Sequence, residues 1–185
     1  MKILNYLIII FICINSSVKA DSKQTLINEL QKGGKLIFIR HAYAPGGGDP
    51  DNFDINDCKT QRNLSHSGRV QSQKIGNFFE ENNILIEKVY SSEWCRCKET
   101  ASIAFKKFKT KKFLNSFFNA KFAKNSKKQI IDFDKFIRTW DKDQNLVFVT
   151  HYVVIYEILN YAPSSGEIVI SDKSLKVIDT LEIEY

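Results

Sequence analysis

Long hydrophobic runs are missing from this 185-residue chain, proline is scarce at 3 residues, and its 4 cysteines include no second close pair beside Cys95 and Cys97. Each shortage excludes something. An ordinary membrane span needs about 20 apolar residues, and the apolar stretch from Ile3 to Ile14 falls short of that. Structural zinc sites space paired cysteines by about two to four residues and draw on a second pair; Cys95-Arg96-Cys97 offers neither, so no metal centre is expected. Gly46-Gly47-Gly48 is not followed by Lys-Ser or Lys-Thr, which removes the P-loop reading and leaves a flexible loop. No internal repeat and no interdomain linker interrupts the chain, so one domain is expected.

Positive charge exceeds negative, with 27 Lys and Arg against 21 Asp and Glu, a net +6. Much of the excess lies between Lys106 and Lys128, interleaved with Phe105, Phe108 and Phe113. No nucleic-acid motif accompanies it, and the spacing suits helices that bury one face. A solvated basic surface is the reading, and nucleic acid is not an expected partner.

Lys2, the apolar stretch, polar Asn15-Ser16-Ser17 and the small residues Val18 and Ala20 form the three-part pattern of a secretory signal peptide at 1–20. The expectation is an exported protein, periplasmic or secreted, with 21–185 as its single domain and no stable membrane insertion after cleavage. In an oxidising compartment Cys58 is expected to pair with either Cys95 or Cys97, leaving one thiol. Both cannot serve, because residues two apart on a helix point about 200° away from each other.

Helical periodicity over 25–31 stops at Gly33-Gly34, and a strand follows over 35–40. A polar loop from 44 to about 65 is longer than ordinary connections and reads as functional. Ser65 then caps a helix through Val70, Ile75, Phe78 and Phe79. Strands are expected over 86–90, 113–118 and 146–150, with helices around Arg96, over 127–140 and over 153–159, and closing strands over 167–170 and 175–183. This alternation implies a three-layer α/β/α domain around a mostly parallel central sheet.

Two apolar strands end on histidine, at Ile39-Arg40-His41 and Val149-Thr150-His151. Ligands of open α/β sheets bind beyond the carboxyl ends of strands, so both histidines meet there together with Arg40 and Arg96. Such a cationic pocket suits phosphate. Arginine's fork matches phosphoryl oxygens with parallel charged hydrogen bonds, and a neutral imidazole can attack phosphorus if its other nitrogen is held by an acceptor. His66, at an expected helix start, carries no such context.

These residues resemble the histidine phosphatase superfamily, the phosphoglycerate-mutase-like proteins. The resemblance lies in Arg40-His41-Ala42 at the first strand's end, in Leu64-Ser65 followed by Gly68 and Gln71, in Ser92, Arg96, Thr100 and Ala101 at the spacing Ser-x-x-x-Arg-x-x-x-Thr-Ala, and in His151 after Thr150. Together they span 35 to about 160. The resemblance implies a phosphoglycerate-mutase-like fold, His41 as the nucleophile that becomes phosphohistidine, and Arg40, Arg96 and His151 as the rest of the phosphate pocket. It places Arg62 and Ser92 as further phosphate contacts and calls for no metal or cofactor.

The chain departs from that family at its proton donor. Mutases carry a glutamate after the Ser-x-x-x-Arg helix, where this chain has Phe113 to Phe118 without an acid, and larger acid phosphatases place aspartate where Tyr152 stands. Asp49, Asp54, Asp57, Glu99, Glu157 and Glu167 are the remaining candidates. The expected activity is hydrolysis of a phosphorylated small molecule or sugar phosphate, or of phosphohistidine. The alternatives are a catalytically weak phosphate-ligand binding or interaction protein and a phosphoglycerate-mutase-like phosphotransferase.

Overall fold

The computed structural model describes residues 23–140 and 143–185. The expected signal segment, 1–20, lies outside the described residues. Helix α1 is described over 23–31, and β1 (Leu36–Arg40) follows. Next come α2 (His66–Glu81), β2 (Ile86–Ser91), α3 (Cys95–Phe105) and the two-residue β3 (Lys109–Thr110). The chain continues through α4 (Ala120–Ala123), α5 (Ser126–Arg138), β4 (Asn145–Thr150), α6 (Tyr152–Leu159), β5 (Ile168–Ser171) and β6 (Val177–Leu181).

The strands form one 6-stranded sheet in the order β3-β2-β4-β1-β5-β6. β1, β2, β3 and β4 run parallel, whereas β5 and β6 pair antiparallel along the other edge. Strands covered on both faces read as nearly continuous apolar runs, and Leu36 to Ile39 and Leu146 to Val149 are buried accordingly. Alternate side chains feed opposite layers. Ile37, Ile39, Val147 and Val149 pack with α1, α2 and α3, while Leu36, Phe38, Leu146 and Phe148 pack with α5 and α6. This is the three-layer α/β/α architecture expected.

β1 and β4 lie side by side with Arg40 opposite Thr150. The chain leaves β1 for α2 in one layer and leaves β4 for α6 in the other. Their carboxyl ends therefore meet at a switch point, the position in open sheets where a crevice forms.

The strand expected over 113–118 is absent. Lys112–Leu114 forms a 3₁₀ turn instead, with Phe113 and Leu114 buried in the second layer, and the sheet edge is the shorter β3 before it. The alternation that reads as a strand is satisfied by packing over the end of β4, where Thr150 Oγ1 donates to the Leu114 carbonyl at 2.6 Å. The helix expected over 127–140 closes at Arg138, and Trp140 beyond it is buried. The loop over 44–65 contains a 3₁₀ turn at Cys58–Thr60. Among the described residues no helix is long and apolar enough to cross a membrane.

Candidate active site

Because β1 and β4 are adjacent, His41 and His151 leave the sheet together, with ring centroids 5.5 Å apart. The His41 amide continues the ladder by donating to the Thr150 carbonyl at 2.9 Å. His41 Nδ1 lies 2.9 Å from its neighbour's carbonyl, Ala42 O. A carbonyl only accepts, so Nδ1 carries the hydrogen and Nε2 keeps its lone pair.

His151 has the opposite tautomer. Its Nδ1 faces Arg96 Nη2 at 3.4 Å, a group that only donates, and its Nε2 lies 2.9 Å from Ser92 Oγ. Nε2–H therefore donates to Ser92. Burial and then the charge of Arg96 hold both imidazoles well below the usual histidine range, so both rings are neutral at pH 7.

Segments distant in sequence fix the turn after His41. The Ala42 amide donates to Thr100 Oγ1 on α3, and the Tyr43 amide donates to Gln71 Oε1 on α2 at 2.8 Å. Ser65 caps α2 by accepting from the Gly68 amide. A Cβ at Gly68 would stand 2.0 Å from the Tyr43 carbonyl oxygen, so only glycine lets α2 approach so closely. Leu64 packs with Ala42 and Ala44, and with Ser65, Gly68, Gln71 and Thr100 it frames the histidine turn.

Arg96, in the first turn of α3, is buried. Its Nη1 donates to Asp49 Oδ1 at 2.7 Å and its Nη2 to Asp49 Oδ2 at 3.2 Å. Arg40 donates from Nη1 to the Pro163 carbonyl at 2.9 Å. The Nε atoms of Arg40 and Arg96 are buried without a hydrogen-bond partner among the described residues. Buried donors of this kind are costly unless paired, and both belong to side chains lining one cavity of about 600 Å³ with His41, Arg62 and His151.

Arg62 lies in the cavity wall, but two of its nitrogens serve the loop: Nε donates to the Gly48 carbonyl at 3.1 Å and Nη1 to the Ala44 carbonyl. It holds the loop that covers the pocket. Ser92, expected as a phosphate contact, is fully buried behind His151. Its hydroxyl is shared by His151, the Asn115 side chain and the Trp94 amide, so it orients the imidazole instead of lining the cavity.

Asp49 stands among the candidate acids of the sequence, but its partners do not follow from the sequence. Its carboxylate accepts from Arg96, from Trp94 Nε1 at 3.0 Å and from the Arg62 amide at 3.1 Å. Burial alone would raise its pKa, but the hydrogen bonds and charge of Arg96 outweigh burial and hold it below the ordinary value. Asn115 was equally hidden inside the expected strand; its Oδ1 accepts from Ser92 and from the Glu93 amide. No spacing rule singles out either one. The wall formed by Phe118, Asn119, Lys121 and Phe122 likewise follows from the irregular path after β3.

Cys58 and Cys95 form a disulfide, which ties the covering loop to the first residue of α3. The open alternative between Cys95 and Cys97 is thereby resolved. Cys97 points inward, with Sγ 3.4 Å from His151 Nε2, and burial pushes its thiol up to about 12. Trp94 packs edge-on against His151 and stacks on Phe53. His66 is exposed and outside the cavity. Among the described residues no group of three or more His, Cys, Asp or Glu side chains could hold a metal ion.

No protein-family profile matches the chain, and no curated protein matches it significantly. Solved structures do. A phosphoglycerate mutase from Thermus thermophilus has a TM-score of 0.56 at 15% identity, over 81% of this chain and 99% of its own. An Agrobacterium tumefaciens protein proposed as the phosphohistidine phosphatase SixA has a TM-score of 0.56 at 17% identity, over 80% of this chain and 97% of its own. A protein histidine phosphatase SixA complexed with tungstate scores 0.52 at 13% identity, covering 80% and 96%. The chain has the phosphoglycerate-mutase-like fold, the one its motifs resemble.

Proposed function

We propose that this protein is a phosphohydrolase that removes a phosphoryl group from a phosphomonoester, or from phosphohistidine, through a phosphohistidine intermediate on His41. The observation that carries this reading is the state of His41: neutral, with Nδ1–H pinned to the Ala42 carbonyl and Nε2 free, in a cavity shared with Arg40, Arg62 and Arg96. An ionised imidazole has no lone pair to offer, so burial beside Arg96 keeps the nucleophile ready at neutral pH.

The reaction follows from these placements. The guanidinium groups attract the phosphoryl oxygens and offset charge as it develops, with Arg40 and Arg96 contributing the buried Nε donors that lack a protein acceptor. His41 Nε2 forms the bond to phosphorus while the bond to the leaving oxygen breaks. Water then attacks phosphorus, the P–N bond breaks, and its electrons return to Nε2. His151, fixed by Ser92, keeps its ring in the same cavity.

Hydrolysis is favoured over mutase chemistry because the segment that follows α3 presents Phe113 and Leu114 to the core, with no acid between Phe113 and Phe118. A phosphorylated small molecule or sugar phosphate fits the pocket's charge and size. Export to the periplasm or beyond is part of the same proposal. It is supported by the leader pattern at 1–20 and by a disulfide at the edge of the site.

The decisive experiment is acid-quench trapping with a labelled aryl phosphate, using residues 21–185. Wild-type protein is expected to accumulate acid-labile, base-stable phosphate, and His41→Ala to accumulate none and retain less than about a tenth of turnover. Tungstate is expected to inhibit by occupying the same pocket. Turnover of the His41→Ala variant near the wild-type level overturns the assignment.

A further inference from the structure

The proposed chemistry needs a proton for the leaving oxygen and a base for the hydrolytic water, and the expected acid-bearing segment supplies neither. Most of the remaining carboxylates are committed elsewhere. Asp54 and Asp57 accept from the Asn56 and Lys59 amides inside the covering loop, Glu99 pairs with Arg69, and Glu167 accepts from Tyr161 and the Ser164 amide. Glu157 is exposed on α6. None of these lines the cavity, whose carboxylates are Asp49 and the exposed Asp51.

We propose that Asp49 is the proton-transfer residue of this site, giving a proton to the leaving group and taking one from the attacking water. The proposal rests on the phosphohydrolase reading above. Its basis is the fork of Arg96, where Asp49 fills both Nη positions. A carboxylate and a phosphoryl group are recognised by that fork in the same bidentate way. A substrate phosphoryl group that engages the Arg96 fork through its Nη atoms, besides the unpaired Nε, takes the place of Asp49 and leaves the carboxylate beside it, in the wall of the same cavity.

Open space lies beside the glycines of this loop. Gly46 and Gly48 sit at φ 91° and 77°, and an added Cβ at Gly47 or Gly48 would meet nothing within 4 Å. Arg62 anchors the loop just ahead of Asp49 through its contacts to the Ala44 and Gly48 carbonyls, and its amide holds Asp49 Oδ1 itself. Asp49 can shift without leaving the pocket.

The protons balance. A monoester loses its second proton near pH 6, so a fraction arrives as the monoanion. Once its phosphoryl oxygens hold the Arg96 charge, that proton passes to the displaced carboxylate, which has lost its cation. His41 Nε2 then bonds to phosphorus, the P–O bond breaks, and the leaving oxygen takes the Asp49 proton. The ionised Asp49 accepts a proton from water as the water oxygen bonds to phosphorus and the P–N bond breaks. Phosphate departs, the carboxyl releases its proton to solvent, and Asp49 returns to Arg96. The proton on His41 Nδ1 stays there throughout, donated to the Ala42 carbonyl.

The test compares a leaving group that departs without protonation with one that requires it. p-Nitrophenyl phosphate and ethyl phosphate serve as the pair, with wild-type protein, Asp49→Asn and Asp49→Glu. Asp49→Asn is expected to slow ethyl phosphate by about 100-fold or more and p-nitrophenyl phosphate by less than about 10-fold. Inorganic phosphate should inhibit Asp49→Asn at least as strongly as wild type, because its competitor for Arg96 has gone. Asp49→Glu, which keeps a carboxyl, should retain the wild-type ratio of ethyl to p-nitrophenyl turnover. Equal losses on both substrates, weaker phosphate inhibition, or a Glu variant whose ratio falls as far as that of Asn would make Asp49 a structural partner of Arg96 and overturn the proposal. Wild-type protein inactive on both esters overturns the phosphohydrolase reading and this one with it, whereas active wild-type protein whose Asp49→Asn loss is the same for both leaving groups overturns this one alone.

Discussion

The Ala42 amide donates to Thr100 Oγ1 at 3.1 Å, so the turn that holds the His41 tautomer hangs on the helix that carries Arg96. Thr100 Oγ1 in turn donates to the Arg96 carbonyl at 2.8 Å. One hydroxyl therefore sets the distance between the His41 turn and Arg96. Thr100→Val keeps the shape and removes the bond, leaving the Ala42 amide buried and unpaired. The expected cost is about 1 to 3 kcal/mol of stability, with a lower kcat, and Thr100→Ser should recover both. Urea unfolding and steady-state kinetics of the two variants check this; a Val variant with unchanged kcat would detach Thr100 from the site.

Arg96 is expected to act through geometry more than charge. Lysine cannot reproduce a fork that meets Asp49 from Nη1 and Nη2, faces His151 and donates to the Arg62 carbonyl. Arg96→Lys should remain folded by circular dichroism and lose about 10²- to 10³-fold in kcat. Near-normal kinetics would place Arg96 outside the contacts that matter to the transition state.

How much of this was legible in the chain depends on the range of each interaction. The strand ends at His41 and His151 and the cap at Ser65 are local patterns, read from residues next to one another, and the structure has them where the periodicity predicts. The Thr-Ala pair at Thr100 and Ala101 was readable as a motif, yet its role in holding the Ala42 amide depends on a contact across 58 residues. Phe113 and Leu114 have strand-like composition but bury themselves in a 3₁₀ turn, because tertiary packing decides such short apolar segments. Ser92 belongs to the motif and still stands behind His151, since only the path of β2 reveals which side of the ring it meets. Asp49 lies in a Gly-rich loop where spacing carries no information about partners.

The Cys58–Cys95 bridge joins residues 37 apart and closes over the loop that contains Arg62. By chain entropy such a closure contributes about 4 kcal/mol. Cys58→Ser should lower stability by roughly 3 to 4 kcal/mol and raise the KM of a phosphomonoester, because the loop bearing Asp49 and Arg62 is less restrained. Unreduced 21–185 made in an oxidising compartment, denatured and alkylated, should carry its label on Cys97 and yield a crosslinked peptide containing Cys58 and Cys95. Labels on Cys58, Cys95 and Cys97 together would reject the bridge.

The two buried histidines predict a specific acid sensitivity. In the unfolded chain both titrate near pH 6.5, whereas in the folded protein burial and then Arg96 hold them well below that value. Above about pH 6.5 both states hold neutral imidazole, and the pair leaves stability independent of pH. Below it the unfolded state binds protons that the folded state refuses, so stability falls as pH falls, by up to about 1.4 kcal/mol per pH unit for each histidine. Asp49, whose carboxyl is depressed by Arg96 despite burial, has a separate window: its contribution is present above its usual value of 3.8 and is lost only below that. Urea unfolding between pH 8 and pH 5 should therefore show a plateau and then a decline that begins near pH 6.5. His151→Gln should roughly halve the slope of that decline by removing one of the two rings. A stability that stays flat from pH 7 to pH 5 would mean that the folded protein accepts these protons, and would remove the basis for a neutral nucleophile at His41.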